Sequence, residues 1–132
     1  MLLANVSIVI VLVIAMHTPH WKKAMSKDYK NWRNAVGPGW HKLMDKMVED
    51  ITALGWDGTI LQVKEKFGGL RFYIGCANDA IFNRIARAEK ESYKICEECG
   101  KPGQLRGGGW LKTLCDEHSE GREPWSFEKD VP

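Results

Sequence analysis

Apolar residues recur three or four positions apart between Trp40 and Leu54, which predicts a helix with one buried face. Gly55 then suits the position just past the helix end. A shorter helix is predicted over residues 28–35, and Gly37-Pro38-Gly39 separates the two helices. The predicted buried face of the longer helix consists of Trp40, Leu43, Met44, Met47, Ile51 and Leu54.

Between residues 59 and 75, apolar and polar positions alternate instead, which predicts a β-hairpin. The predicted strands run from Thr59 to Lys66 and from Leu70 to Gly75. Gly68-Gly69 suits the two-residue turn between them, because glycine adopts positive φ angles readily. The predicted core-facing side, with Glu65 near its edge, carries Leu61, Val63, Phe67, Leu70, Phe72 and Ile74.

The opposite face of this hairpin carries three cations and one aromatic residue: Lys64, Lys66, Arg71 and Tyr73. The predicted turn places Lys66 opposite Arg71, and it places Lys64 opposite Tyr73. Like charges in direct opposition destabilise a strand pair unless an anion lies between them. One interpretation is an ordinary solvated face, neutralised by acidic side chains from elsewhere. The other is a small anion-binding or nucleic-acid-binding surface, with cations for phosphate and a ring for a base.

A further helix is predicted from Asn78, which suits an N-cap, to about Tyr93. Its buried stripe consists of Ile81, Ile85, Ala88 and Ser92. Its outer face mixes acidic residues with a basic row formed by Arg84, Arg87, Lys90 and Lys94. Such a mixture is typical of a solvated helix face, and the alternative is that the basic row extends the hairpin's polar face. The helix leads into the next segment without a linker.

That segment contains two pairs of metal-ligand residues. Cys96 and Cys99 form a C-x2-C pair, and Cys115 and His118 form a C-x2-H pair. This spacing is typical of structural zinc sites, because two intervening residues let one turn aim both ligands at the same ion. Three thiolates and one imidazole fill a tetrahedron and leave no position for a reactive water. The sequence therefore predicts one structural Zn²⁺ per chain.

The elements around these ligands complete the predicted fold class, which is α+β. Trp110 to Leu114 is predicted as a short strand, and Asp116 and Glu117 suit the first turn of a following helix. The predicted order is a helix, a β-hairpin, a helix and then a zinc-ribbon or treble-clef-like module.

Composition narrows the setting. The chain has 132 residues, which favours one small domain, and its formal net charge of +2 is too small to indicate nucleic acid by itself. Three of the four cysteines belong to the metal motif, which indicates a reducing compartment and predicts a cytoplasmic location. The remaining cysteine, Cys76, is predicted to be a small buried residue at a strand end, with a reactive thiol as the alternative.

The N-terminal residues do not fit this domain. Leu2 to Met16 is almost entirely apolar, and as a helix it would be about 22 Å long, against a hydrocarbon core of about 30 Å. It is a mis-assigned start upstream of Met16 or Met25, a short anchor at the inner face of a membrane, or a buried strand or helix. The predicted divisions are an apolar segment (1–24), a zinc-containing domain (25–118) and a polar tail (119–132) whose Trp125-Ser126-Phe127 docks on the body or on a partner.

Three stretches carry a resemblance: Gly37-Pro38-Gly39-Trp40, the hairpin from Gln62 to Tyr73, and the two ligand pairs with Gly108-Gly109-Trp110-Leu111-Lys112-Thr113-Leu114 between them. Together they resemble a widespread group of small bacterial and phage zinc-binding proteins of unassigned function, over residues 36–118. The resemblance implies a zinc-bearing domain and a bacterial or phage setting. It carries over no activity and no catalytic residue, and the apolar start before Met16 does not look like the group.

Catalysis is not indicated, because His118 is assigned to zinc and no Ser-His-Asp, Cys-His or P-loop arrangement is present in the sequence. His41 is predicted to be a surface residue. Two functions remain: a nucleic-acid-associated accessory protein, and a protein interaction module such as a phage-borne modulator of a host complex. A basic patch continuous from the hairpin cations to Lys112 would favour the first function. An exposed apolar patch around Trp110 or Trp125 would favour the second.

Overall fold

The computed structural model describes residues 28–127, so the predicted apolar segment and the end of the predicted tail lie outside the described residues. Within this range the elements are α1 (Asp28–Arg33), a 3-10 turn (Pro38–Trp40), α2 (His41–Ala53), β1 (Ile60–Lys66), β2 (Gly69–Ile74), α3 (Asp79–Ser92), β3 (Gln104–Arg106) and β4 (Lys112–Leu114). The strands form two separate antiparallel hairpins, β1–β2 and β3–β4. The predicted α+β class is confirmed. No helix between residues 28 and 127 combines the length and apolarity that crossing a bilayer requires.

The core lies between α2, α3 and one face of the β1–β2 hairpin. The predicted face of α2 is buried, with Met44, Met47 and Ile51 fully enclosed. Leu54 is the exception, because the helix has ended at Ala53 and the side chain is exposed. The predicted stripe of α3 is buried throughout, and Asn78 is its N-cap, with Oδ1 accepting from the Ile81 N–H at 3.0 Å.

Helix α3 also closes the outer edge of β2. The Leu70 N–H donates to Ser92 Oγ and the Phe72 N–H donates to Glu89 Oε2, each at 2.9 Å. These donors would otherwise form an open strand edge. Burial raises the pKa of Glu89, and the hydrogen bond from Phe72 opposes that shift.

The prediction for Arg84 was wrong. Its side chain does not lie on the outer face of α3 but is buried, and its Nε donates to Asp50 Oδ2 on α2 at 2.8 Å. This hydrogen bond lowers the pKa of Asp50. The prediction that Cys76 is buried was also wrong, because the residue is exposed in the bend between β2 and α3.

The hairpin turn lies one residue earlier than predicted. Its two residues are Phe67 and Gly68, with φ angles of 54° and 81°, and Gly69 already pairs with Lys66. A Cβ on Gly69 would lie 2.4 Å from the Tyr93 ring, so this glycine is needed inside the strand, where that ring packs against it. Arg71 therefore pairs with Lys64. The partner of Lys64 moves by two residues, which leaves the faces of the paired strands as predicted.

Two residues of the predicted core-facing side are exposed. Phe67 lies in the turn and is 56% exposed. Leu61 lies at an irregularity in the pairing between Ile60 and Gln62, and it is 60% exposed. Ile60 instead faces Ile74 and packs against the core, because the irregularity shifts the alternation by one residue.

Candidate metal centre

The four ligand residues lie on two adjacent turns. Cys96 and Cys99 follow α3, and a tight turn joins them, with the Gly100 N–H donating to the Cys96 carbonyl at 2.9 Å. Cys115 and His118 follow β4 directly. The Glu97 N–H donates to the Thr113 carbonyl at 3.0 Å, which holds the two turns side by side.

This arrangement brings all four ligand atoms within 4.8 Å of one another. Cys99 Sγ and Cys115 Sγ are 3.7 Å apart, and His118 Nδ1 lies 3.1 Å from Cys115 Sγ and 3.9 Å from Cys96 Sγ. Zinc–sulfur bonds of about 2.3 Å in a tetrahedron place two sulfurs about 3.8 Å apart. None of the cysteines forms a disulfide. The cluster can therefore hold a metal ion.

The electrostatics of the cluster favour metal binding. The hydrogen bond with His118 lowers the pKa of the Cys115 thiol to about 6, and the thiolate is the form that binds metal. Cys96 and Cys115 are buried, whereas Cys99 is exposed. Burial raises the pKa of the neighbouring Glu97 carboxyl to about 7.

The Gly37-Pro38-Gly39-Trp40 segment packs directly on the first ligand turn. The Gly39 N–H donates to the Glu97 carbonyl at 2.9 Å, and Trp40 Nε1 donates to the Ile95 carbonyl at 2.8 Å. A Cβ on Gly39 would lie 1.9 Å from the Cys96 carbonyl oxygen. The sequence pattern indicated only a helix break at these glycines. In the structure, the lack of a side chain at Gly39 lets the backbone pack against the turn between Cys96 and Cys99.

The tip of the β1–β2 hairpin packs on the β3–β4 hairpin. Thr113 Oγ1 donates to the Gly68 carbonyl at 2.6 Å, and a Cβ on Gly68 would lie 2.3 Å from a methyl of Leu105. Glu65 links the β1–β2 turn to the segment before β4. Its carboxylate accepts from the Gly68 N–H at 2.6 Å and from Trp110 Nε1 at 3.0 Å. The metal module, which consists of β3, β4 and the two ligand turns, therefore shares an interface with the β1–β2 hairpin.

The segment after Cys115 does not form the predicted helix and instead packs on the buried side chain of Arg106. Between Cys115 and Phe127 the structure has turns and no α-helix, so the prediction of a helix start at Asp116 was wrong. Asp116 instead accepts from Arg106 Nη2 at 2.8 Å, and Arg106 Nε donates to the Leu114 carbonyl at 3.0 Å. Sequence reasoning missed Arg106, because a charged residue beside glycines carries no signal of burial.

The residues after His118 pack back on this module. The Trp125 N–H donates to the Leu105 carbonyl at 2.9 Å, and the Trp125 ring contacts that of Phe127 edge-on at 4.5 Å. Phe127 in turn contacts the Tyr93 ring. The interpretation that Trp125 and Phe127 dock on the body of the protein agrees with these contacts.

The predicted nucleic-acid face is assembled on the outer side of the β1–β2 hairpin, where Lys64, Lys66, Arg71 and Tyr73 lie together. Lys64 Nζ lies 5.6 Å from the centre of the Tyr73 ring. Arg71 is half-buried and donates to the Leu70 carbonyl and to the Tyr93 hydroxyl, each at 2.9 Å. Its guanidinium is therefore partly committed to the fold.

Three further residues named in the sequence analysis are Lys112, Trp110 and His41. Lys112 forms an ion pair with Glu120 at 3.6 Å, so the unpaired charge of the hairpin does not continue to it. Trp110, by contrast, is 62% exposed. His41 is half-buried, with Nε2 3.2 Å from the Val36 carbonyl oxygen.

No protein-family model, curated protein or solved structure matches this chain. The motif resemblance therefore stays a prediction. The geometry of the candidate metal centre and of the hairpin face is the basis for the function proposed for this protein.

Proposed function

We propose that Cys96, Cys99, Cys115 and His118 hold one structural Zn²⁺. Three soft thiolates with one imidazole suit zinc better than oxygen-preferring cations such as Mg²⁺ or Ca²⁺. The donor set fills a tetrahedron, so zinc serves to fasten the segment after α3 and not to activate water. Elemental analysis of the purified protein tests this proposal, with one zinc per chain expected and no zinc contradicting it.

On this zinc-supported scaffold we propose a nucleic-acid-associated accessory protein, of bacterial or phage origin by its motif resemblance. One observation carries the proposal. Lys64, Lys66 and Arg71 form no ion pair within residues 28–127, although they crowd one face of a hairpin. By contrast, the four Lys and Arg residues between positions 96 and 127 all form ion pairs: Lys101 with Glu117, Arg106 with Asp116, Lys112 with Glu120 and Arg122 with Glu120.

The unpaired charge has a physical consequence. Lys64 and Arg71 are directly paired across the strands, and like charges in that position repel one another. A phosphate group between them would remove that repulsion and release counterions from the nucleic acid. Exposed Tyr73, beside Lys64, provides a ring for a base.

A charge-matched pair of variants tests this proposal. Lys64→Ala with Lys66→Ala removes two cations from the hairpin face, whereas Lys30→Ala with Lys42→Ala removes two exposed cations from α1 and α2. Fluorescence anisotropy with labelled DNA and RNA at low salt should show weaker binding for the first variant only. Equal loss in both variants would indicate a non-specific charge effect, and no binding by the intact protein would contradict the proposal.

A second candidate is a protein interaction module, such as a phage-borne modulator of a host complex. The exposed Trp110 ring favours it, because aromatic side chains are enriched at protein–protein interfaces. A pull-down from bacterial lysate separates the two candidates. Capture that survives nuclease treatment and is lost with Trp110→Ala would support the second candidate.

A further inference from the structure

The turn of the β1–β2 hairpin carries a residue that its backbone conformation disfavours. Phe67 has a φ angle of 54°, a left-handed conformation that is uncommon for a bulky side chain. Glycine or asparagine suits the first position of such a two-residue turn better. The ring is not needed for the core, because it is 56% exposed. The fold alone does not account for a phenylalanine here.

The ring instead continues the outer face of the hairpin. Lys66 Nζ lies 5.6 Å from the centre of the Phe67 ring, just as Lys64 Nζ lies 5.6 Å from that of Tyr73. Tyr73 pairs with Gln62 on the neighbouring strand. The order along the face is therefore ring, cation, cation, ring.

The spacing of this series suits an extended strand of nucleic acid. Lys64 and Lys66 are two residues apart on one strand, which separates their backbone positions by about 7 Å. The whole series from Gln62 to Phe67 spans about 17 Å, enough for two or three nucleotides. Each cation lies beside a ring, and neither forms an ion pair with a carboxylate among residues 28–127, so its charge remains available for phosphate.

We infer that the ligand of this face is single-stranded nucleic acid, with bases stacked on Tyr73 and Phe67 and phosphates on Lys64 and Lys66. This inference rests on the proposed function and extends it to the strand state and to Phe67. Bases inside a duplex are stacked on one another and offer no free face to a ring. Unpaired bases stack on exposed aromatic side chains with little regard to sequence.

Arg71 has a different part in this account. Its guanidinium bonds to Tyr93 and lies 5.8 Å from the centre of that ring, so it is braced by the end of α3. It is a positioning residue for the strand pair and does not contact phosphate.

The test compares a short labelled oligothymidylate, the matching oligouridylate and a duplex of equal length in fluorescence anisotropy at low salt. Each single strand is expected to bind at least about tenfold more tightly than the duplex, which corresponds to one stacked base. Phe67→Gly should weaken single-strand binding about 5- to 150-fold. Because glycine suits the turn, the melting temperature of this variant should not fall. Tyr73→Ala should weaken single-strand binding to a similar extent.

Phe82→Ala provides the matched control, since Phe82 is 44% exposed on α3 and lies outside the hairpin. Its single-strand affinity should equal that of the unchanged protein. If the duplex binds as tightly as the single strand, or if Phe67→Gly binds normally, this inference is overturned while the proposed function stands. If no oligonucleotide binds, both fail, and the exposed rings are assigned to a protein partner.

Discussion

Replacing Gly39 with alanine tests whether the helical core and the metal centre form one unit. The added Cβ would lie 1.9 Å from the Cys96 carbonyl oxygen and 2.7 Å from both the Glu97 carbonyl carbon and the Gly100 nitrogen. These neighbours are backbone atoms, so no side chain can rotate away. The segment before α2 and the first ligand turn must therefore separate.

The magnitude follows from two contributions. Forcing atoms into a close-packed contact costs about 1–3 kcal/mol. Separation also breaks the hydrogen bond from the Gly39 N–H to the Glu97 carbonyl, which costs about 0.5–1.5 kcal/mol. The free energy of unfolding of the metal-bound protein should fall by about 1.5–4.5 kcal/mol. Part of this loss should appear as weaker metal binding, because the displaced turn carries Cys96 and Cys99.

Urea unfolding at saturating zinc measures the stability, and competition with a chromophoric chelator measures the metal affinity. Gly75→Ala is the matched control, because a Cβ there would meet no atom within 4 Å. The control should change the free energy of unfolding by no more than about 0.5 kcal/mol. A Gly39→Ala protein that matches the control in both measurements would refute the reasoning.

Three further predictions concern other parts of the chain. Cys99→Ser should lose the metal and several kcal/mol of stability, because metal-binding energy at such a site is folding energy, whereas Cys76→Ser should keep both; elemental analysis and denaturant unfolding decide this, and a metal-loaded Cys99→Ser protein would contradict it. Folding raises the pKa of Glu89, so this carboxyl stabilises the fold at acid pH and loses that contribution as pH rises and it ionises. Glu89→Gln cannot ionise, so its stability relative to the unchanged protein should increase as pH rises. Free energies of unfolding that differ by a constant amount from acid to neutral pH would oppose this. A chain beginning at Met25 should bind metal and remain monodisperse, because every described element lies beyond that residue; size-exclusion chromatography checks this, and aggregation would mean that the preceding residues belong to the core.

Local patterns predicted the elements well, because the information lay within a few residues. Helical spacing identified the buried faces of α2 and α3, and Asn78 alone indicated a cap that the hydrogen bond to Ile81 confirms. The two ligand pairs predicted the cluster of Cys and His side chains for the same reason. A C-x2-C pair brings its own sulfurs together, and only the approach of the two pairs required the fold.

Long-range contacts account for what local patterns could not predict. Gly69 lies within β2 because the Tyr93 ring occupies the space of its missing side chain, a contact between residues far apart in sequence. Arg84 is buried because Asp50 on another helix pairs with it. The burial of Arg106 also depends on partners from neighbouring turns, which are backbone carbonyls and the Asp116 carboxylate. Asp116 therefore pairs with Arg106 and does not begin the predicted helix. A pattern along one element contains none of these partners.

The functional predictions divide in the same way. The face carrying Lys64, Lys66 and Tyr73 was predictable from alternation, because a change of two residues in pairing preserves the faces of a hairpin. The hydrogen bond from Arg71 to the Tyr93 hydroxyl was not predictable, since it depends on where α3 ends. Phe67 was predicted on the core-facing side, and only the position of the turn places it at the exposed tip.

The salt dependence of nucleic-acid binding tests the central claim most directly. Two lysines that contact phosphates of a single strand should give a plot of log affinity against log salt concentration with a slope of about −1.4, because each contact contributes about −0.7. Lys64→Ala with Lys66→Ala should bring the slope close to zero, while Lys30→Ala with Lys42→Ala should leave it unchanged. A slope near zero for the intact protein, or an unchanged slope in the hairpin variant, would contradict a phosphate-binding role for this face.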